Sequence, residues 1–282
     1  MGRKGEMSSM KVVTVFTCYN RCNKTRRCIE TLVKGNPTCE FIFVAVDDNS
    51  IDGTLDMLES MKDSYAINII KGTGSLFYSR GMRLGMQYVL DNLKESFDYL
   101  LMVNDDVDFY QHSIEKMIKQ TSEFPNGVIV GATCSKRNKL TYGAIKFEKG
   151  IKYHTVEIQN YKNPADTFNA NCVLIPFHAF KQVGPIDEHY IHSLGDFDYG
   201  LMLKNRGYEI ISTNYYVGVC EDNALTNTWK NTNFSRKKRI RIKESPKGLP
   251  SKQWFYYLKK NFGILHAIKG CITPYIRIII GK

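Results

Sequence analysis

Four short apolar runs, each followed at once by acids, amides or glycine, constrain this chain more than any other feature. They are VVTVF (12–16), FIFVAV (41–46), AINII (66–70) and YLLMV (99–103). Each is continuous rather than alternating, as in strands covered on both faces. Helix-like segments at 23–34, 54–61 and 80–94 separate them. This β-α-β-α-β-α-β order predicts an α/β fold with a mostly parallel central sheet flanked by helices and right-handed crossovers. Ligands of such sheets gather beyond the carboxyl ends of the strands. There the chain reads Thr17-Cys18-Tyr19-Asn20-Arg21, Asp47-Asp48-Asn49-Ser50, Lys71-Gly72-Thr73-Gly74 and Asn104-Asp105-Asp106. One site is expected on that edge.

The second half is less regular. Strands are expected at 128–133, 140–147, 173–175 and 208–213, and helices at 177–183 and 196–206, the latter stopped by Gly207. Eight scattered cysteines include no CxxC pair and no zinc spacing, and read as reduced thiols. Residues 1–11 are polar, and no stretch approaches the roughly 20 apolar residues of a membrane span. A cytoplasmic protein is expected.

The net charge of +11 sits at one end. Residues 230–282 hold 14 Lys/Arg against the single acid Glu244, a balance of +13 that leaves −2 for residues 1–229. A near-neutral body argues against a nucleic-acid groove across it. The tail is basic and amphipathic, running from Arg236-Lys237-Lys238-Arg239 through Trp254-Phe255-Tyr256-Tyr257 to Ile278-Ile279-Ile280. Such a mixture suits an anionic lipid surface, which predicts peripheral association with the inner face of the plasma membrane.

Two of the strand-end loops carry chemistry. Asp105 and Asp106 offer the carboxylate oxygens that a hard ion such as Mg²⁺ or Mn²⁺ takes, and such an ion neutralises a diphosphate leaving group. Asp48 can accept the imide N–H of uracil or thymine, with Tyr19 stacking on the base. Taken alone, each loop is also what a turn or helix cap needs. Together they point to a nucleotide.

FTCYNR, VDDNSIDGT, the strand-end NDDV and GDFDYGLMLKNRGY follow one another across about residues 11–222. In this the chain resembles the family 2 glycosyltransferases of the GT-A fold, in particular the bacterial branch that builds O-antigens, capsules and related polysaccharides and includes many rhamnosyltransferases. The resemblance implies a Rossmann-like catalytic domain over residues 1–228, with a nucleotide-sugar half at about 11–110 and an acceptor half at about 111–228. Residues 229–282 would follow as a basic aromatic extension. It also implies that Thr17, Tyr19 and Asp48 hold the donor's base and ribose. Arg21 would reach the phosphates, Arg80 and Arg83 would face the donor, and Asp106, with Asp105 beside it, would ligate the metal. Asp196 would be the general base, preceded by Gly195 where the family carries Glu, with Asp198 in support. A helix-start position is expected to lower the pKa of Asp196. Where relatives often carry a metal-binding His, this chain has Cys220, tolerable for Mn²⁺ but poor for Mg²⁺. The expected activity is inverting transfer from a UDP- or dTDP-sugar, dTDP-rhamnose included, to a glycan or lipid-linked oligosaccharide acceptor. The competing readings are a sugar-nucleotide pyrophosphorylase, disfavoured because the first strand-end loop lacks glycine, and a non-catalytic glycan- or membrane-binding module.

Overall fold

The computed structural model describes residues 9–93, 96–159, 162–222 and 227–281. The polar start at residues 1–8, and Lys94 at the expected end of the third helix, lie outside them. The first half alternates as expected: β1 (Met10–Cys18), α1 (Cys22–Gly35), β2 (Cys39–Asp47), α2 (Thr54–Met61), β3 (Ala66–Lys71), α3 (Phe77–Asn92) and β4 (Tyr99–Val103). The strands lie side by side in the order β3-β2-β1-β4, all parallel.

Burial explains the unbroken apolar runs. Val13 and Val15 of β1, with Leu100 and Met102 of β4, enter a core against Met82, Met86 and Val89 of α3. Their sequence neighbours Val12, Phe16, Leu101 and Val103 enter a second core against Ile29 and Leu32 of α1. Both faces of the sheet are dry, so neither face can be polar. On α1 the buried positions Thr25, Cys28, Ile29 and Leu32 follow helical spacing.

The second half widens the sheet. It contains β5 (Asp108–Phe109), α4 (Ser113–Glu123), β6 (Gly127–Cys134), β7 (Ala144–Phe147), β8 (Tyr153–Thr155), β9 (Asn163–Ala165), β10 (Thr167–Phe168), β11 (Cys172–Pro176), α5 (Phe177–Val183), α6 (Gly195–Asn205) and β12 (Glu209–Val219). The sheet continues from β4 through β11, β6 and β12 to β5. In it β11 runs antiparallel to both its neighbours, while β6 and β12 are parallel. Strands β10, β7 and β8 form a separate antiparallel sheet.

Two expectations need correction. The strand expected from residue 140 begins only at Ala144, because Thr141 and Tyr142 are already bonded to Thr133 in a tight return. Helix α3 begins at Phe77 rather than Arg80. Its first free amides, Leu76 N–H and Phe77 N–H, donate to Asp48 Oδ2 at 2.9 and 3.1 Å. A carboxylate from another loop thus caps the helix.

Residues 229–281 contain α7 (Arg236–Glu244), α8 (Ser251–Phe262) and α9 (Ile264–Ile279). A third apolar cluster joins Tyr257 and Leu258 of α8 and Ala267 of α9 to Tyr190 of the body. No helix among the described residues is long and apolar enough to cross a membrane.

Candidate active site

A cavity of about 770 Å³ opens where β1, β2 and β4 end. Thr17, Tyr19, Arg21, Asp48, Asp105, Asp106, Asp196 and Cys220 all line it. Loops 48, 106 and 196 residues into the chain therefore face one space.

Asp48 is buried, and its carboxylate is largely committed. Besides capping α3 it accepts Gly74 N–H at 2.7 Å. It thereby shapes the floor between the second and third loops. Tyr19 stands half exposed at the mouth, and Thr17 donates to Val46 O at 3.2 Å, beneath α3.

Beyond β4 the acids are held by a cation. Arg21 Nη1 donates to Asp105 Oδ1 at 3.0 Å and to Asp106 Oδ2 at 2.9 Å. Thr25 Oγ1 donates to the other oxygen of Asp105 at 3.0 Å. Asp105 is buried, and that burial, with Asp106 adding to it against the pull of Arg21, pushes its pKa up to about 6. Asp106 is the more open carboxylate. Cys220 Sγ donates to its Oδ1 at 3.6 Å, and burial followed by the charge of Asp106 pushes the thiol up to about 12. Cys220 therefore stands beside Asp106 as a soft sulfur donor, a poorer partner for Mg²⁺ than for Mn²⁺. Among the described residues no group of three or more His, Cys, Asp or Glu side chains is placed to hold a metal. Beside that sulfur the loop after β4 offers oxygens: the Asp106 carboxylate and the buried Asn104 Oδ1, which has no hydrogen-bond partner. That donor set fits Mg²⁺ or Mn²⁺ when phosphate oxygens and water complete the shell.

Asp196 occupies the first turn of α6, half-buried against the cavity. Its carboxylate accepts Phe197 N–H at 2.9 Å and Ala170 N–H at 3.4 Å. The expected lowering of its pKa does not occur. Burial outweighs these backbone bonds and a further one from the Asn169 side chain, and raises it to about 6. Gly195, in the place of the family's Glu, is demanded by packing. A Cβ there would lie 2.4 Å from Ser79 Oγ and 2.8 Å from Ser79 Cβ of α3. The same serine donates to His192 O at 2.6 Å and pins the loop that leads into α6.

Arg80 and Arg83 are not brought to the cavity. Because α3 starts three residues early, its pocket-facing first turn carries Phe77 and Tyr78. Arg80 projects as an exposed side chain, and Arg83 Nη1 donates to Ile186 O at 2.6 Å behind the site.

The C-terminal helices build one wall, which the sequence reading did not anticipate. Lys247, Leu249, Trp254 and Tyr257 all face the cavity. Behind them, Lys260 Nζ and Asn261 Nδ2 of α8 donate to the fully buried Asp198 at 2.6 and 2.8 Å. Lys260 also reaches Asp187 at 2.9 Å, and Gln253 Oε1 accepts Ile191 N–H at 3.1 Å. The aromatic run expected to meet lipid is thus turned inward at positions 254 and 257. Their three-residue spacing, with Leu258 beside them, was the available signal of a core-facing stripe. His192, also in the wall, has its pKa lowered to about 4, chiefly by burial and then by Lys247 and Arg21, so its ring is neutral.

Comparison with known proteins gives a family and a fold. The model of the family described as glycosyl transferase family 2 matches residues 14–184. No curated protein matches the sequence. Among solved structures, S. aureus TarS 1-349 superposes with a TM-score of 0.57 at 12% identity, over 96% of this chain and 81% of that one. The same fragment in complex with UDP-GlcNAc gives 0.53 at 13%, over 93% and 73%. The Pyrobaculum calidifontis mannosyltransferase PcManGT, in complex with GDP-Man and Mn²⁺, gives 0.57 at 11%, over 96% and 73%. At such identities the likeness is one of fold.

Proposed function

Because the chain belongs to glycosyl transferase family 2, with the corresponding α/β fold, we propose that it moves a sugar from a nucleoside-diphosphate donor to a growing surface polysaccharide, with inversion at the anomeric carbon. The observation that carries this reading is the convergence of Tyr19, Asp48, Asp106 and Asp196 on one cavity. UDP- or dTDP-sugars, dTDP-rhamnose among them, are the proposed donors, and a glycan or lipid-linked oligosaccharide is the acceptor.

The base would lie between the Tyr19 ring and the loop organised by Asp48. Arg21 and Lys247 supply positive charge for the diphosphate. A divalent ion, when bound through Asp106, adds charge neutralisation on the leaving diphosphate. Asp196 receives the proton of the acceptor hydroxyl as its oxygen bonds to the anomeric carbon and the bond from that carbon to the phosphate oxygen breaks. A carboxylate with a pKa raised to about 6 is a stronger base than an ordinary one and is still ionised at neutral pH. The bonds from the Phe197 and Ala170 amides and the Asn169 side chain still leave a lone pair for the hydroxyl. Trp254, backed by the stacked Tyr257 ring, offers an aromatic surface to the acceptor's sugar rings. A position at the inner face of the plasma membrane would bring the site to a lipid-linked acceptor.

The test is a donor screen. Purified protein is incubated with UDP-, dTDP- and GDP-sugars, with and without Mn²⁺, and nucleotide release is followed. One donor should be hydrolysed slowly, and Asp196→Asn should abolish that release. Undiminished release in Asp196→Asn removes the base from this scheme.

A further inference from the structure

Helix α9 is two-sided in an unusual sense. Its inner face is fixed against α8: Ala267, Pro274 and Ile278 are buried, and Trp254 Nε1 donates to Gly270 O at 3.1 Å. Its outer face is also apolar. Leu265, Ile268, Ile272, Ile276 and Ile279 are 47 to 78% exposed. Their steps of three, four, four and three residues align them in one stripe, about 21 Å long at 1.5 Å per residue. No described residue covers that stripe. Such a face marks an interaction surface rather than ordinary surface scatter.

The charges around it select the occupant. Lys269 and Arg277 are exposed on α9 itself, as are Lys252 and Lys259 on α8 and Arg236, Lys237, Lys238 and Arg241 on α7. The one acid of residues 230–282, Glu244, is taken up internally by Lys243, by Ser251 at 2.9 Å and by Tyr275 at 2.6 Å. An apolar stripe among unbalanced cations complements an anionic lipid surface. A second copy of this chain would instead bring like charges together. Helix α9 is too short to span a bilayer and carries Pro274 within it.

We propose that the outer face of α9 is a membrane-docking surface that lies flat in the headgroup region of anionic phospholipid. The inserted residues are the isoleucine and leucine stripe, not the aromatic run of α8, whose Trp254 and Tyr257 are committed to the cavity wall. Docking sets the bilayer one helix away from that cavity. The surface stands on its own observations; its use in presenting a lipid-linked acceptor rests on the proposed transferase reaction.

The experiment is co-sedimentation of the full chain with vesicles of phosphatidylcholine alone or doped with phosphatidylglycerol, at low and high salt. Wild type is expected to pellet with the doped vesicles at low salt and to be released by high salt. The triple variant Ile268→Ser/Ile272→Ser/Ile276→Ser should lose at least about tenfold in partitioning, since three apolar side chains no longer enter the lipid. Its melting curve should match wild type, because all three positions are exposed; Leu265→Ser serves in its place should the triple variant misfold. Lys269→Glu/Arg277→Glu should lose the preference for doped vesicles. Equal pelleting of wild type and the serine variants overturns the proposal. So does a wild-type dimer, seen by light scattering, that the serine variants split without any vesicle binding. Nucleotide release measured without vesicles should be unchanged in the triple variant. If wild type shows no release with any donor, the transferase reading fails, while the vesicle result still decides the surface.

Discussion

Replacing Lys260 with Met asks how firmly the C-terminal helices hold the loop that carries Asp196. Lys260 Nζ lies 2.6 Å from Asp198 Oδ2 and 2.9 Å from Asp187 Oδ2. Burial alone would lower the pKa of this amine, but the bonds to the two carboxylates more than offset it, so it is raised. Methionine keeps most of the stem and removes the charge. The fully buried Asp198 would keep Asn261 Nδ2, at 2.8 Å, and the Tyr190 hydroxyl as neutral partners but lose its cation. Stranding a buried charge costs about 3–5 kcal/mol. The Lys260 side chain is 30% exposed, so water screens part of the pair and the low end, about 3 kcal/mol, is expected. That is about 150-fold in the unfolding equilibrium. Urea unfolding followed by the fluorescence of Trp229 and Trp254 measures it, with Lys259→Met as the control, an exposed neighbour expected to change stability by less than about 0.5 kcal/mol. The double variant Lys260→Met/Asp198→Asn no longer strands a charge and should recover more than about 1.5 kcal/mol of the summed loss. Nucleotide release by Lys260→Met should slow with little change in donor KM, because Asp198 and Asp196 share the first turn of α6. Equal stability of the two lysine variants, or no recovery in the double variant, refutes the reasoning.

Other outcomes follow from the same contacts. Asp196→Asn should reduce turnover about 10²- to 10⁴-fold while leaving the melting temperature no lower, since the amide carries no charge to desolvate. Turnover of wild type should fall as pH drops through about 6, because the protonated form then dominates; a carboxylate at the ordinary 3.8 would hold activity far lower in pH, and a profile flat to pH 4 rules the raised value out. Asp48→Ala leaves the amides of Gly74, Leu76 and Phe77 without their acceptor, at about 1 kcal/mol each and ~3 kcal/mol together. Hydrogen exchange at those three amides should accelerate, and donor KM should rise. Gly195→Ala forces a Cβ onto Ser79, an overpacking of about 1–3 kcal/mol. Its melting temperature should fall together with kcat; an unperturbed melt denies the close approach.

The alternation of strands and helices in residues 10–103 was legible in the chain itself, because a parallel sheet dry on both faces leaves an uninterrupted apolar run for every strand. The strand-end acids were legible for the same reason: once the runs are placed, the next residues must lie on one edge. Helix α4 was not, since its buried set, Ser113, Ile114, Met117 and Thr121, is half polar. Other facts belong to the tertiary structure alone. Asp48 caps a helix through amides 28 and 29 residues distant, so α3 starts at Phe77, and Arg80 and Arg83 lie outside the cavity lining. Asp196 is raised rather than lowered because desolvation depends on everything packed around it, whereas the helix-dipole argument sees only its own turn. The partner of Asp198 stands 62 residues further on, in helices whose sequence speaks of lipid. No local pattern reveals such a pairing, because the energy of a buried charge is set by whichever segment the fold happens to close over it.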